Sequence, residues 1–388
     1  MFNFDDIRPY RNDEFPAVLT RLLEDPVFDR VLMKSLQKGE AEIEQMKNAM
    51  RQVKSIEDFQ GQFVVPVINQ ILTASSRGLT VEGLDELDKS QRYLYISNHR
   101  DIILDSALMN VKMHASGFSP TEIAIGSNLL IYPWINDLVR INRSFIVKRN
   151  IPVKQMLTSS KHLSHYIRHM ITMGSDSIWI AQREGRAKDG NDLTQPALLK
   201  MLNMSNSNDF FEGFKELQII PMAISYEIEP CGNEKVSELK KRQLDPNFQK
   251  TEKDDLMSMV SGLNNQKGQI HIQFGKQIDE DILHRIAAEP GPNERLKLLA
   301  EQIDKEIYKN YRLFSNNYIA YDLYFKTSKY ADRYTLEEKE SFLKLTHNRL
   351  KLVNEDIEDS MVLWLKMYAS PVYNFEKNVL CETSFAFS

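Results

Sequence analysis

The chain has 388 residues, is 42% hydrophobic and carries a formal net charge of −5, enough apolar material for one large catalytic core with helical additions or for two domains. The acidic balance argues against general nucleic-acid binding. Its two cysteines, Cys231 and Cys381, are too few and too far apart for a disulfide framework or a zinc site, which fits a reducing cytoplasm, and the opening MFNFDDIRPYRNDEF lacks the basic and apolar regions of a secretory signal.

From Phe15 to about Gln70 apolar residues recur at helical spacing, as in Val18, Leu22, Leu23, Phe28, Val31, Leu32 and Leu36, so residues 1–85 read as a helical N-terminal region. After Ser75-Ser76-Arg77-Gly78 the pattern changes to short apolar runs separated by polar turns or helical segments. These runs are Tyr93–Ile96, Glu122–Ile125, Phe145–Val147, Ser177–Ile180, Ile219–Ile224 and Gln269–Phe274. Strands alternating with helices predict an α/β core over 86–280. Between Gly232 and Lys267 the chain turns polar and lysine-rich, which reads as a surface excursion. Residues 281–388 read as helical again, with a late helix over Phe342–Met367. No internal repeat or low-complexity tract interrupts this order.

Two uncharged stretches, Phe59–Ser76 and Ile123–Asn136, are broken by Gln, Gly, Asn and Pro. Neither offers the roughly 20 apolar residues that a spanning helix needs. The second, with Tyr132 and Trp134, suits either a membrane interface or buried core. Between Ile131 and Lys200 there are 11 Lys/Arg against five Asp/Glu, which is either a solvated basic face or a site for an anionic substrate or acidic partner.

The chemistry concentrates in four segments. In Asn98-His99-Arg100-Asp101-Ile102-Ile103-Leu104-Asp105, a histidine leaves an apolar run with carboxylates two and six positions later. Such a histidine can take a proton from a hydroxyl at neutral pH when a carboxylate fixes its tautomer. Phe145-Ile146-Val147 ends in Lys148 and Arg149. Ser177–Gln182 runs into Arg183-Glu184-Gly185-Arg186-Ala187-Lys188, and Ile219–Ile224 is an apolar strand broken by Pro221. A base, cationic clusters, a carboxylate and an apolar wall suit transfer of an apolar group onto the hydroxyl of a phosphate-bearing acceptor. Arginine's planar fork matches phosphate oxygens.

In this order and at these intervals the four segments resemble the four blocks of the glycerolipid acyltransferase superfamily. The resemblance covers about residues 90–280. Further similarity lies in Gly126-Ser127-Asn128-Leu129, in Ile224-Ser225-Tyr226-Glu227 and in Phe274-Gly275-Lys276-Gln277-Ile278. It implies a mixed sheet flanked by helices, with helical N- and C-terminal additions. By the same resemblance His99 is the base, oriented by Asp105 or by its rival Asp101. The acceptor phosphate falls to Arg149 or Lys148 and to Arg186, with Arg183 and Lys188 as rivals. Glu184 and Gly185 form the acceptor turn, and Pro221 shapes the thioester site.

The implied reaction moves a fatty acyl group from acyl-CoA or acyl-carrier protein, with no metal or other cofactor, to glycerol 3-phosphate or 1-acylglycerol 3-phosphate. The enzyme would be cytoplasmic and peripheral on the inner face of the membrane, binding no nucleic acid. Five residues separate His99 from Asp105 where the family has four, so a loop or bulge must absorb the difference, or Asp101 is the partner; the Leu104-Asp105 context favours Asp105. Rival readings are an amino-acid lyso-lipid as acceptor, a non-catalytic lipid- or acyl-carrier-binding protein, and a metal-dependent hydrolase using His99, Asp101 and Asp105. His162, His165 and His169 share a helix face that could in principle hold a metal.

Overall fold

The computed structural model describes residues 3–36, 38–206, 209–353 and 357–380; Cys381 lies outside them. Seven strands form one mixed sheet: β1 (Gly78–Glu82), β2 (Leu94–Ser97), β3 (Glu122–Gly126), β4 (Ser144–Val147), β5 (Ile178–Ala181), β6 (Ile219–Tyr226) and β7 (Gln269–Phe274). Their order is β1-β7-β6-β2-β5-β3-β4, with β6 and β7 antiparallel and all other neighbours parallel. The six strands expected from the apolar runs are all present. β1 is additional. It lies before residue 86, and as an edge strand of five residues with alternating exposure it carries no continuous apolar run.

Helices cover both faces, which is why the central strands are apolar at nearly every position. Leu94 and Ile96 of β2 and Ile178 and Ile180 of β5 pack with the helices Val153–Thr172 and Pro292–Lys309. Tyr95, Trp179, Met222 and Ile224 point the other way, onto Leu104, Leu108 and Met109 of the Leu104–Ala115 helix. β6 is buried along its whole length. Pro221 sits inside it beside Ile96, where its missing N–H falls at the end of β7; the Gly275 N–H donates to the Pro221 carbonyl at 2.9 Å.

Three readings of the sequence change here. The Gly232–Lys267 stretch is more than a surface excursion: residues 241–247 are exposed, but the stretch forms helices Gly232–Leu244 and Glu252–Asn264, and both Lys235 and Lys267 are almost wholly buried. Buried lysines persist only with partners. Lys235 is paired with Glu229, and Lys267 donates to Ser75 Oγ and to the carbonyls of Leu263 and Asn265. The late helix is two helices, Leu336–Leu350 and Ile357–Phe375. Finally, Ile123–Asn136 becomes β3, a short turn and the start of the Pro133–Ile141 helix, whose Trp134 and Ile135 are buried against the N-terminal helices. Only Tyr132 of its two candidate interface aromatics is exposed.

Candidate active site

Strands β2, β4, β5 and β6 point their C-terminal ends to one edge of the sheet, the edge where α/β folds gather their chemistry. β2 leaves the sheet at Ser97, and residues 98–103 form an irregular loop before the next helix starts at Leu104. That loop absorbs the extra residue between His99 and Asp105. His99 Nδ1 lies 2.8 Å from Asp105 Oδ2, which also accepts the backbone N–H groups of Arg100 at 2.6 Å and Asp101 at 3.0 Å. Asp105 Oδ1 accepts the Tyr226 hydroxyl at 2.8 Å. Burial pushes the Asp105 carboxyl up, but the His99 hydrogen bond and charge and the two backbone donors outweigh it and hold the group below its ordinary value. With Nδ1–H given to a carboxylate, the His99 lone pair is on Nε2. The Trp179 and His99 rings meet edge to face, centroids 5.6 Å apart.

Asp101 has another task. Its Oδ1 accepts from the N–H groups of Ile103 at 2.9 Å and Leu104 at 2.8 Å, closing the turn into the helix. Its Oδ2 approaches Gly262 so closely that a Cβ there would lie 1.9 Å away, so the Glu252–Asn264 helix presses onto the loop only because that residue is glycine.

A second hub holds the loop from beneath. Asp192, fully buried, accepts from Asn98 Nδ2 at 3.3 Å, Arg100 Nη2 at 2.5 Å and the Tyr311 hydroxyl at 2.6 Å. Asn98 in turn exchanges two bonds with the Ile224 backbone, tying the end of β2 to β6.

The cations divide by strand alternation. Lys148 turns away to Asp6 of the N-terminal segment, at 2.5 Å. Arg149 instead meets Glu184, Nη1 to Oε2 2.9 Å, bridging the ends of β4 and β5. Gly185 takes a left-handed φ of 68°, which lets the 183–188 turn reverse. Arg186 does not line an open cleft: it is buried, and although burial works against its charge, the nearby carboxylates of Asp101, Asp255 and Glu229 favour it. Burial likewise pushes Lys188 down to about 8, 3.6 Å from Glu238. Arg183 is half-buried with its Nε unpartnered among the described residues. Pro221 lies mid-strand, level with Ile96 rather than at the sheet edge. A groove of about 760 Å³ runs past Asn191, Leu193, Asp304, Tyr308 and Tyr373, and none of the expected site residues lines it.

Residues 78–225, which carry all of these segments, match the Acyltransferase family model. This segment is similar to acyltransferase domains. No curated protein matches the chain. Among solved structures, the 1-acyl-sn-glycerophosphate (LPA) acyltransferase PlsC from Thermotoga maritima is 12% identical, covering 77% of this chain and 97% of that one with a TM-score of 0.38, a likeness too slight to bear on substrate.

Several groups around the His99 loop escape a linear reading. Tyr226, Trp179 and Asp192 reach His99, Asn98 and Asp105 across separations of 80 to 121 residues, and nothing local in the sequence ties them to that loop. Tyr226 falls in the Ile224–Glu227 stretch already singled out, and its strand alternation with Met222 and Ile224 puts it on the face that receives the Leu104–Ala115 helix. The three histidines at helical spacing pack differently from a metal face: the Phe4 ring lies against His162 and His169, and His162 meets Asp6 at 3.1 Å.

Proposed function

We propose that this acyltransferase moves a fatty acyl group from a thioester donor, acyl-CoA or acyl-carrier protein, to a hydroxyl of glycerol 3-phosphate or of a lysophospholipid such as 1-acylglycerol 3-phosphate. The observation that carries the reading is the buried, fully hydrogen-bonded Asp105 oriented on His99 Nδ1 at the sheet edge of an acyltransferase-family domain. His99 Nε2 takes the proton of the acceptor hydroxyl as its oxygen bonds to the thioester carbonyl carbon. Asp105 stabilises the imidazolium that forms. When the carbon–sulfur bond breaks, the departing thiolate takes that proton, so no acyl-enzyme is needed.

Arg149 is the cation best placed to meet the acceptor phosphate. Its present partner, Glu184, is 64% exposed, and exposed ion pairs are worth only about 0–1 kcal/mol, so a phosphate that offers a bidentate match displaces it at little cost. Glu184 is then free to accept an acceptor hydroxyl. Arg186 supports the loop by neutralising the carboxylates around Asp101, and Arg183 is the second candidate for the phosphate. Setting two reactants in line beside a base contributes at most roughly 7–11 kcal/mol toward the barrier.

The test is a matrix of purified protein with acyl-CoA and acyl-carrier-protein donors against glycerol 3-phosphate, 1-acylglycerol 3-phosphate and an amino-acid lyso-lipid, read by mass spectrometry. An acyl ester that forms with a phosphate acceptor and vanishes in His99→Ala is expected. Product formation that persists in His99→Ala, or no ester from any pair, overturns the reading.

A further inference from the structure

The helix Val153–Thr172 is two objects joined end to end. Its second half is core: Leu163, Tyr166, Ile167 and Ile171 are buried against the sheet. Its first turns run clear of the protein, and every residue from Pro152 to Thr158 is exposed. Within that stretch Val153, Met156 and Leu157 are 82%, 52% and 69% exposed. Their i, i+3, i+4 spacing places them on one face. Single exposed apolar residues are ordinary, but three large ones together at a protruding helix end mark a contact surface.

The position of that surface is informative. The helix begins six residues after Val147, at the same end of β4 from which Arg149 projects, and exposed Tyr132 follows the parallel neighbour β3 at the same edge. Its own charge is basic, although Asp6 of the N-terminal segment meets His162 on its second half and Lys148 before it. No Asp or Glu occurs between Asp137 and Asp176, and Lys154 and Lys161 stand exposed on the same helix. The helix N-terminus adds its own partial positive charge. Among the described residues no helix is long and apolar enough to cross a membrane.

We infer that Val153, Met156 and Leu157, with Lys154 and Lys161 around them, dock the enzyme on the surface of an anionic phospholipid bilayer. An apolar face ringed by lysines fits the boundary between acyl chains and negatively charged headgroups better than it fits a neutral partner. The inference rests on the proposed function only in that the docked edge is the one at which the acyl group is transferred. Docking there presents the His99 edge to the bilayer that would hold a lysophospholipid acceptor. The uncharged Ile123–Asn136 stretch does not serve this role, because its Trp134 and Ile135 are buried.

Flotation of the full chain with vesicles of phosphatidylglycerol and phosphatidylcholine, at low and high salt, tests it. The native chain should bind anionic vesicles at low salt and release them at high salt. The triple variant Val153→Ser, Met156→Ser, Leu157→Ser should bind at least tenfold more weakly, and so should Lys154→Glu with Lys161→Glu. Turnover of glycerol 3-phosphate with a short-chain acyl-CoA, both water-soluble, is measured without vesicles and should be equal in the native and triple-variant proteins. Loss of that turnover in the native chain would refute the acyltransferase reading but leave the docking result standing. The inference fails if the triple variant floats like the native chain, or if the native chain does not float. It also fails if the triple substitution abolishes self-association or capture of an acidic acyl-carrier protein while vesicle binding is untouched.

Discussion

Replacing Asp105 with asparagine removes one charge and almost no volume, and the surroundings of the side chain say what that costs. Three N–H donors converge on Oδ2, and the Tyr226 hydroxyl reaches Oδ1. An amide can keep its oxygen at the Oδ2 position and turn its NH2 to Tyr226, whose hydroxyl can accept instead of donate. The loop should survive, with thermal unfolding close to that of the native protein. What disappears is the attraction between carboxylate and imidazolium. At about 4 Å between charge centres this is about 4 kcal/mol for an effective dielectric near 20. A charge-assisted hydrogen bond measured net of solvent is worth less, about 1.5–3 kcal/mol. Divided by about 1.36 kcal/mol per decade, these limits give a fall in kcat of roughly tenfold to 10³-fold. The KM of the acceptor should barely move, because Asp105 is wholly buried and touches the base rather than the substrate. Steady-state kinetics at saturating donor measure both. A kcat within twofold of native, or an Asp101→Asn variant that is much the slower of the two, would show that Asp105 does not orient His99.

Tyr226→Phe leaves one oxygen of a buried carboxylate unpartnered, so kcat should fall by about tenfold with acceptor KM unchanged; a rise in acceptor KM would mean the tyrosine acts on substrate instead. Arg149→Ala should raise the KM of a phosphate-bearing acceptor by roughly 10- to 150-fold, the equivalent of one lost charge-assisted contact, while Lys148→Ala, whose partner is Asp6, should leave it unchanged; equal effects would refute the division of the two cations. Burial raises the Asp304 carboxyl to about 7 despite two hydrogen bonds from Thr194. The folded state thus holds a proton that the unfolded state releases, and stability falls as pH climbs from about 4 to about 7. Urea melts of Asp304→Asn across that window should show a shallower decline than the native chain, and an unaltered slope would remove Asp304 as its source.

How much of this was legible in the sequence depends on the range of each interaction. β2, β5 and β6 were visible because burial on both faces makes them apolar runs, whereas β1 was hidden by its exposed edge. His99 and Asp105 lie six positions apart and announce themselves locally. The choice between Asp105 and Asp101 needed coordinates, since it turns on which carboxylate faces the ring and which faces the helix N-terminus. Lysine-rich Gly232–Lys267 read as surface because composition does not reveal a carboxylate such as Glu229 waiting for Lys235. Arg186 read as a ligand because its burial beside Asp101, Cys231 and Glu229 is set by helices far along the chain.

Asp192 gathers Asn98, Arg100 and Tyr311 around one buried carboxylate, and its own carbonyl accepts the Tyr308 hydroxyl at 2.5 Å. Two residues before it, Gly190 packs so tightly on the Ile357–Phe375 helix that a Cβ would come within 2.1 Å of the Met367 carbonyl. Tyr226, Glu229, Tyr308, Tyr311 and Met367 all lie beyond residue 225, where the family-matched segment stops. Heredity and mechanics therefore draw different borders on this chain. The family-matched stretch is not a detachable cartridge, since later helices clamp the loop from which His99 projects. A change at the C-terminal helices, far from His99 in sequence, meets the His99 loop through Met367, Gly190 and Asp192.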